Sequence, residues 1–171
     1  MLTVTLQPLR EEHAIALLAF ERENREYFAR SIPDRGDAFF TEFTARLHDL
    51  LAEQAEGRIL FHVIVDDEGQ IVGRINLVDV NDGAAELGYR IGERFGGRGF
   101  ATAAVTQVCQ LAAETYQLTR LTAVTILDNK ASLAVLHRTG FVAVGDIDID
   151  GQPGRRFERS LVAADLVSGT A

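Results

Sequence analysis

Apolar and polar positions alternate from the start of the chain: "TVTLQPL", residues 3–9, reads as a β-strand that ends at Pro8 or has it on an edge. The period then changes. "EEHAIALLAFERENREYFAR", residues 11–30, has helical spacing, with Glu21/Arg25 and Glu26/Arg30 one turn apart on a face predicted to be wet. Beyond the loop "SIPDRGD", Phe39, Phe43, Leu47 and Leu50 recur at helical intervals, which predicts a second helix whose aromatic stripe is core. "RILFHVIVDDEGQIVGRINLVDV" then gives two strands hinged on Asp67–Gly69. After "NDG", residues 81–83, the run "AAELGYRIG" alternates again, with Glu86, Gly88 and Arg90 on one face and Leu87, Tyr89 and Ile91 on the other.

A glycine-rich turn follows and feeds a helix predicted from Phe100 to Tyr116. At 100° per residue, Ala101, Ala104, Val105, Val108 and Ala112 form its apolar stripe, small enough to let the helix lie close on a sheet. "RLTAVTIL", residues 120–127, reads as a buried strand. "DNKASLAVLHRTGF" carries both ends of a further helix: Asn129 or Asp128 as N-cap, His137 and Arg138 in the last turn, and Gly140 as the left-handed stop, with Phe141 folding back on Leu136. Residues 141–162 finish the chain as two strands about "DGQPG". The order predicts an α+β protein in which helices cover a mixed, mostly antiparallel sheet.

Composition narrows the classes. A chain of 171 residues that is 47% hydrophobic, without repeats or a Pro/Gly/Ser-rich linker, fits one domain spanning 1–171. The single cysteine, Cys109, excludes an internal disulfide and suits a reducing compartment, and none of the four histidines pairs at metal-ligand spacing. His62 is expected mid-strand, His137 near a helix end, and His13 and His48 on helix surfaces. No stretch has the form of a signal peptide or the length of a membrane span, so a cytoplasmic protein is expected. The net charge of −8 argues against direct nucleic-acid binding and tolerates a cationic partner.

The chemistry concentrates in "RFGGRGFATAAV", residues 94–105. A strand, a glycine turn and a helix start together aim unpaired N–H groups and the positive end of a helix dipole at one point, which attracts anions. Gly96, Gly97 and Gly99 permit close approach and positive φ, and Arg98 and the Thr102 hydroxyl add contacts. A Walker loop is excluded because no Gly-Lys-Ser/Thr ending is present. A dinucleotide fingerprint is excluded because Thr102 stands where its third glycine belongs.

"GGRGFA", residues 96–101, resembles the pyrophosphate-binding motif of the GNAT N-acetyltransferases, with "ELGYRIGERF" before it and "DNKASLAVLHRTGF" after the next strand at the right distances. The similarity is greatest to the branch that includes the ribosomal-protein-alanine N-acetyltransferases. Gly96 departs from the usual Gln or Arg at the first motif position. The resemblance implies a three-layer acyl-CoA N-acyltransferase fold of about seven strands, with a V-shaped split between strands 4 and 5. It implies acetyl-CoA as co-substrate and no metal. Its pyrophosphate would lie on the amides of 97–102, touching Gly97, Arg98, Gly99, Phe100, Ala101 and Thr102 beside Gly96, and its pantetheine in the split, where Asn129 would make contact. A backbone N–H between Tyr89 and Ile91 would polarise the thioester, Gly88 and Gly92 would ease a bulge, Glu86 would orient or deprotonate the amine, and Ser132 would donate to the sulfur. Many enzymes of the family place a tyrosine near that sulfur, in or just after the second motif, and none stands there in this sequence, whereas Ser132 matches the serine that the ribosomal-alanine branch carries. Arg155, Arg156 and Arg159 read either as contacts to the adenosine 3′-phosphate or as a solvated edge strand.

The expected function is acetyl transfer to a primary amine, an α-amine at a peptide N-terminus, with a small cationic amine or a non-catalytic acyl-CoA-binding protein as alternatives. Monomer and homodimer stay equally open.

Overall fold

In the computed structural model, which describes residues 2–161, a seven-stranded sheet runs in the order β1-β2-β3-β4-β5-β7-β6. Val162, the expected last residue of the final strand, and the rest of 163–171 lie outside the described residues. The strands are β1 (Thr5–Pro8), β2 (Leu60–Val65), β3 (Ile71–Asn81), β4 (Ala84–Ile91), β5 (Arg120–Ile126), β6 (Val142–Ile149) and β7 (Gln152–Ser160). All neighbours are antiparallel except β4 and β5. Those two pair in parallel only at Ala84–Arg120, Ala85–Leu121 and Glu86–Thr122. Beyond Glu86 the ladder stops while both strands continue, and the gap between them is the predicted split.

Each of the two predicted N-terminal helices is broken once. The first becomes α1 (Ala14–Glu23) and α2 (Arg25–Ala29), and the second α3 (Asp37–Thr41) and α4 (Phe43–Ala55). Asn24 explains the first break. Its side-chain amide donates to Phe20 O at 2.9 Å, and its oxygen accepts from Glu93 N at 2.9 Å, so the chain turns there to reach the glycine loop. The wet face predicted for Glu21/Arg25 is wrong: Glu21 is 2% exposed and turns to the sheet, while Arg25 pairs with Asp34 and Asp37. His13, expected on a surface, is also buried, and its Nδ1 accepts from Arg10 N at 3.0 Å.

Helices α5 (Phe100–Glu114) and α6 (Lys130–Arg138) cover the other face. Ala104, Val105, Val108 and Ala112 are fully buried there, as the stripe predicts. α6 ends as read from its sequence: Gly140 has φ 87°, and Phe141, 3% exposed, donates its N–H to Leu136 O. β7 lies inside the sheet, so the edge-strand reading of Arg155, Arg156 and Arg159 fails; Arg159 instead donates to Thr139 O at 2.8 Å beneath Gly140. The edge belongs to β6.

Candidate active site at the split between strands four and five

The glycine loop builds one end of the site. Gly97 and Gly99 hold φ of 71° and 88°, a region that costs other residues about 1–2 kcal/mol. Gly99 is the N-cap of α5 and has no side chain with which to cap it. The helix ladder starts only at Ala103, whose N–H donates to Gly99 O, so among the described residues the amides of 97–102 have no backbone acceptor. Gly96, Gly97, Arg98 and Gly99 are exposed, and the Arg98 guanidinium lies over the Phe95 and Phe100 rings. The arrangement is an open cradle of bare amides at the positive end of the α5 dipole, chemistry that suits an anion. Gly96 is different from its neighbours: at φ −66° a Cβ would meet nothing nearer than 3.6 Å, so no steric demand requires glycine where the motif usually carries Gln or Arg.

β4 builds the wall. Gly92 N donates to Val72 O of β3 at 2.9 Å, and a Cβ on Gly73 would meet Arg90 O, so residues 90 and 92 direct their backbone groups toward β3. Alternation then turns the N–H groups of Tyr89 and Ile91 into the split. The bulge lies elsewhere than expected. The β3–β4 register slips between Val78 and Asn81, with Asp79 at φ 52°, next to the vertex at Glu86. Gly88 instead leaves open space, and Gly92 allows close approach, since a Cβ there would stand 3.0 Å from Phe20.

Side chains meet across the gap. The Tyr89 hydroxyl donates to Ser132 Oγ at 3.2 Å, and Ser132 N donates to Asn129 Oδ1 at 3.1 Å, so Asn129 caps α6 and fixes the turn that carries the serine. Burial raises the Tyr89 pKa, against the opposing pull of its bond to Ser132, so the phenol stays protonated at neutral pH. Thus a tyrosine does reach the serine, from β4 and not from the second motif. Glu86, half-buried, stands at the last paired position before the strands part.

On the α1–α4 face, Arg74 Nη1 lies 3.1 Å and Arg90 Nη1 3.9 Å from Glu21, and Arg74 is 6% exposed. Sequence reading missed this cluster, because its members sit on a helix and two strands with no local signature. His62 is fully buried; Nδ1 bonds Ile75 O and Nε2 accepts from the Tyr116 hydroxyl at 2.6 Å, a satisfied structural histidine. Among the described residues no group of His, Cys, Asp and Glu is arranged to hold a metal, and no helix is long and apolar enough to cross a membrane.

A split mixed sheet with an uncapped glycine cradle at its mouth defines an acyl-CoA-dependent acyltransferase. The sequence pattern of the acetyltransferase (GNAT) domain matches residues 3–142, and the chain belongs to that family: it is an acetyl-CoA-dependent N-acetyltransferase. It is 28% identical over 171 residues to the [ribosomal protein uS5]-alanine N-acetyltransferase of Escherichia coli (strain K12), covering 94% of this chain and 88% of that protein. It is 25% identical over 165 residues to the probable N-acetyltransferase YjcK of Bacillus subtilis (strain 168), covering 87% and 88%. Among solved structures, Mycobacterium smegmatis RimJ in complex with CoA-disulfide superposes with a TM-score of 0.84 at 26% identity, covering 95% of this chain and 83% of that one.

Proposed function

We propose that the chain acetylates the α-amine of a peptide N-terminus, with Glu86, Tyr89 and Ser132 as its catalytic side chains. The observation that carries this reading is the Tyr89–Ser132 hydroxyl pair spanning the split, with Glu86 at its vertex. Acetyl-CoA supplies the thioester. The amides of 97–102, with Gly96 and Arg98 beside them, hold its diphosphate, and Asn129 holds the pantetheine. The N–H of Tyr89 or Ile91 polarises the thioester carbonyl.

The amine must be neutral to attack. An α-amine near pKa 7.7–8.0 is roughly 10% neutral at pH 7, whereas a lysine near 10.4 is about 0.04% neutral, a disadvantage of about 3.4 kcal/mol. One half-buried carboxylate, Glu86, suits the easier task, and the uS5-alanine relative acts by its name on such an amine. As the new amide bond forms and the C–S bond breaks, Glu86 takes the amine proton and Ser132 donates to the sulfur. Tyr89, donating to Ser132 Oγ, leaves the serine proton directed at the leaving group.

The test uses acetyl-CoA with an Ala-initiated peptide against an N-blocked peptide carrying one lysine. We expect the first to be acetylated, Glu86→Gln to lower kcat by about 10²–10⁴, and Ser132→Ala to lower kcat with KM for acetyl-CoA little changed. Preference for the lysine, or unchanged kcat in both variants, overturns the reading.

A further inference from the structure

On the α1–α4 side a cavity of about 210 Å³ opens between α3/α4 and the sheet, far more than the roughly 10–15 Å³ one water needs. Its apolar lining includes Phe39, Phe43 and Phe61; its polar lining is Arg35, Arg46, Arg74 and Asn76. Three observations mark it as built to receive a ligand. First, positive charge outweighs negative. Arg25 is held by Asp34 and Asp37, and Arg46 is 3.8 Å from Glu42, which leaves Arg35, Arg74 and Arg90 to share Glu21. Burial first, and then the neighbouring arginines, lower Arg74 to about 9 and Arg90 to about 10, with Glu21 opposing, so both remain cations at neutral pH.

Second, hydrogen-bonding capacity is unfilled. Arg74 and Glu21 approach within 3.1 Å without hydrogen-bond alignment, and among the described residues the donor Arg74 Nε and the acceptors Glu21 Oε1 and Asn76 Oδ1 are buried and have no partner. Third, the cavity adjoins the split. Asn76 pairs with Gly88 and Arg74 with Arg90 in the β3–β4 register, and at Gly88 no atom stands within 4 Å of where a Cβ would be. The route from the vertex to Asn76 at the cavity's near end is therefore one strand spacing, about 5 Å, and two residues along, about 7 Å, and the donor Arg74 lies two residues further.

We propose that this cavity is the acceptor's second anchor and takes a carboxylate on Arg74 and Arg35: the amine acetylated at the split belongs to a molecule with an apolar or aromatic body and an acid group within about four residues of that amine. The inference rests on the proposed α-amine reading and adds to it a charge requirement. A polycation is disfavoured by the same arginines. A free apolar amino acid and a peptide with an acidic second residue both present this chemistry.

Calorimetry on the CoA-saturated protein separates the sources and needs no turnover. One arm compares N-acetylphenylalanine with its amide, the other N-acetyl-Ala-Glu amide with N-acetyl-Ala-Gln amide. We expect the acid to bind at least tenfold more tightly than its neutral partner in at least one arm, the larger ratio naming the source. Arg35→Gln, at an exposed position where the fold is not at stake, should bring that ratio toward one. Equal affinities in both arms, no measurable binding in either, or a ratio untouched by Arg35→Gln overturns the proposal. The peptide turnover assay runs alongside. α-Amine turnover without acid preference removes only this proposal, and acid preference without α-amine turnover removes only the assigned acceptor amine.

Discussion

Behind α5 and α6 the sheet is sealed by Ala104, Val105, Val108 and Ala112, and the fully buried histidine on that side, His62, is neutral and bonded to Tyr116. Under α1–α4 the same sheet buries full charges, Glu21 against Arg74 and Arg90, beside an open cavity. A dry face of small side chains makes a rigid platform on which α5 can present bare amides, so recognition there uses the backbone and tolerates many sequences. The charged face is costly to bury and recognises through side chains. On the proposed reading the two faces divide the work: one holds the acyl donor, and the other distinguishes acceptors.

The largest effect that would break this contrast is on stability. Arg74→Met leaves Glu21 buried beside Arg90 alone and should lower unfolding free energy by about 3–5 kcal/mol, while Glu21→Leu with Arg74→Met recovers most of it. Urea melts of the three proteins decide. If the single variant is as stable as the parent, the charges are not coupled as drawn.

On the opposite face the backbone is the target. Gly99→Ala, forced to φ 88°, should weaken CoA binding by about 1–2 kcal/mol, roughly 5- to 30-fold, whereas Gly96→Ala at φ −66° should change it less than about twofold. Calorimetry with free CoA measures both, and equal losses would mean that left-handed geometry is not what shapes the cradle.

The smallest effect is titration. Burial depresses the pKa of His62 and, with help from Arg10, that of His13 below the ordinary 6.5. Both are neutral when folded, so their contribution is present above pH 6.5 and is lost as pH falls through their lowered values, the unfolded chain binding the extra protons. Thermal melts from pH 8 to pH 5 should show Tm falling on the acid side, with a flatter profile in His62→Gln. A Tm that rises on acidification would contradict the buried neutral pair.

Legibility in the sequence follows the same divide. The cradle, the α6 caps and the split could be read because each depends on local backbone demands or on a family motif: Gly97 and Gly99 need positive φ, Asn129 caps Ser132 N, and Gly140 stops α6. The Glu21 cluster was hidden because the helical i,i+4 rule paired Glu21 with Arg25, while its real partners are supplied by β3 and β4. Strand alternation puts Tyr89 on the face it occupies, yet its bond to Ser132 exists only once two strands diverge. The bulge escapes a reading that takes glycine as its marker, because Asp79 supplies the positive φ instead.

The β4–β5 ladder, limited to three residue pairs, leaves the sheet close to being two plates, β1–β4 and β5–β7–β6, joined along a short seam and strapped by α5 and α6. Whatever fills the wedge loads both plates together, so cohesion of the whole chain rises with ligand concentration as mass action requires. The abundance of the acyl donor in a cell would then set how long each copy survives proteolysis as well as how fast it works.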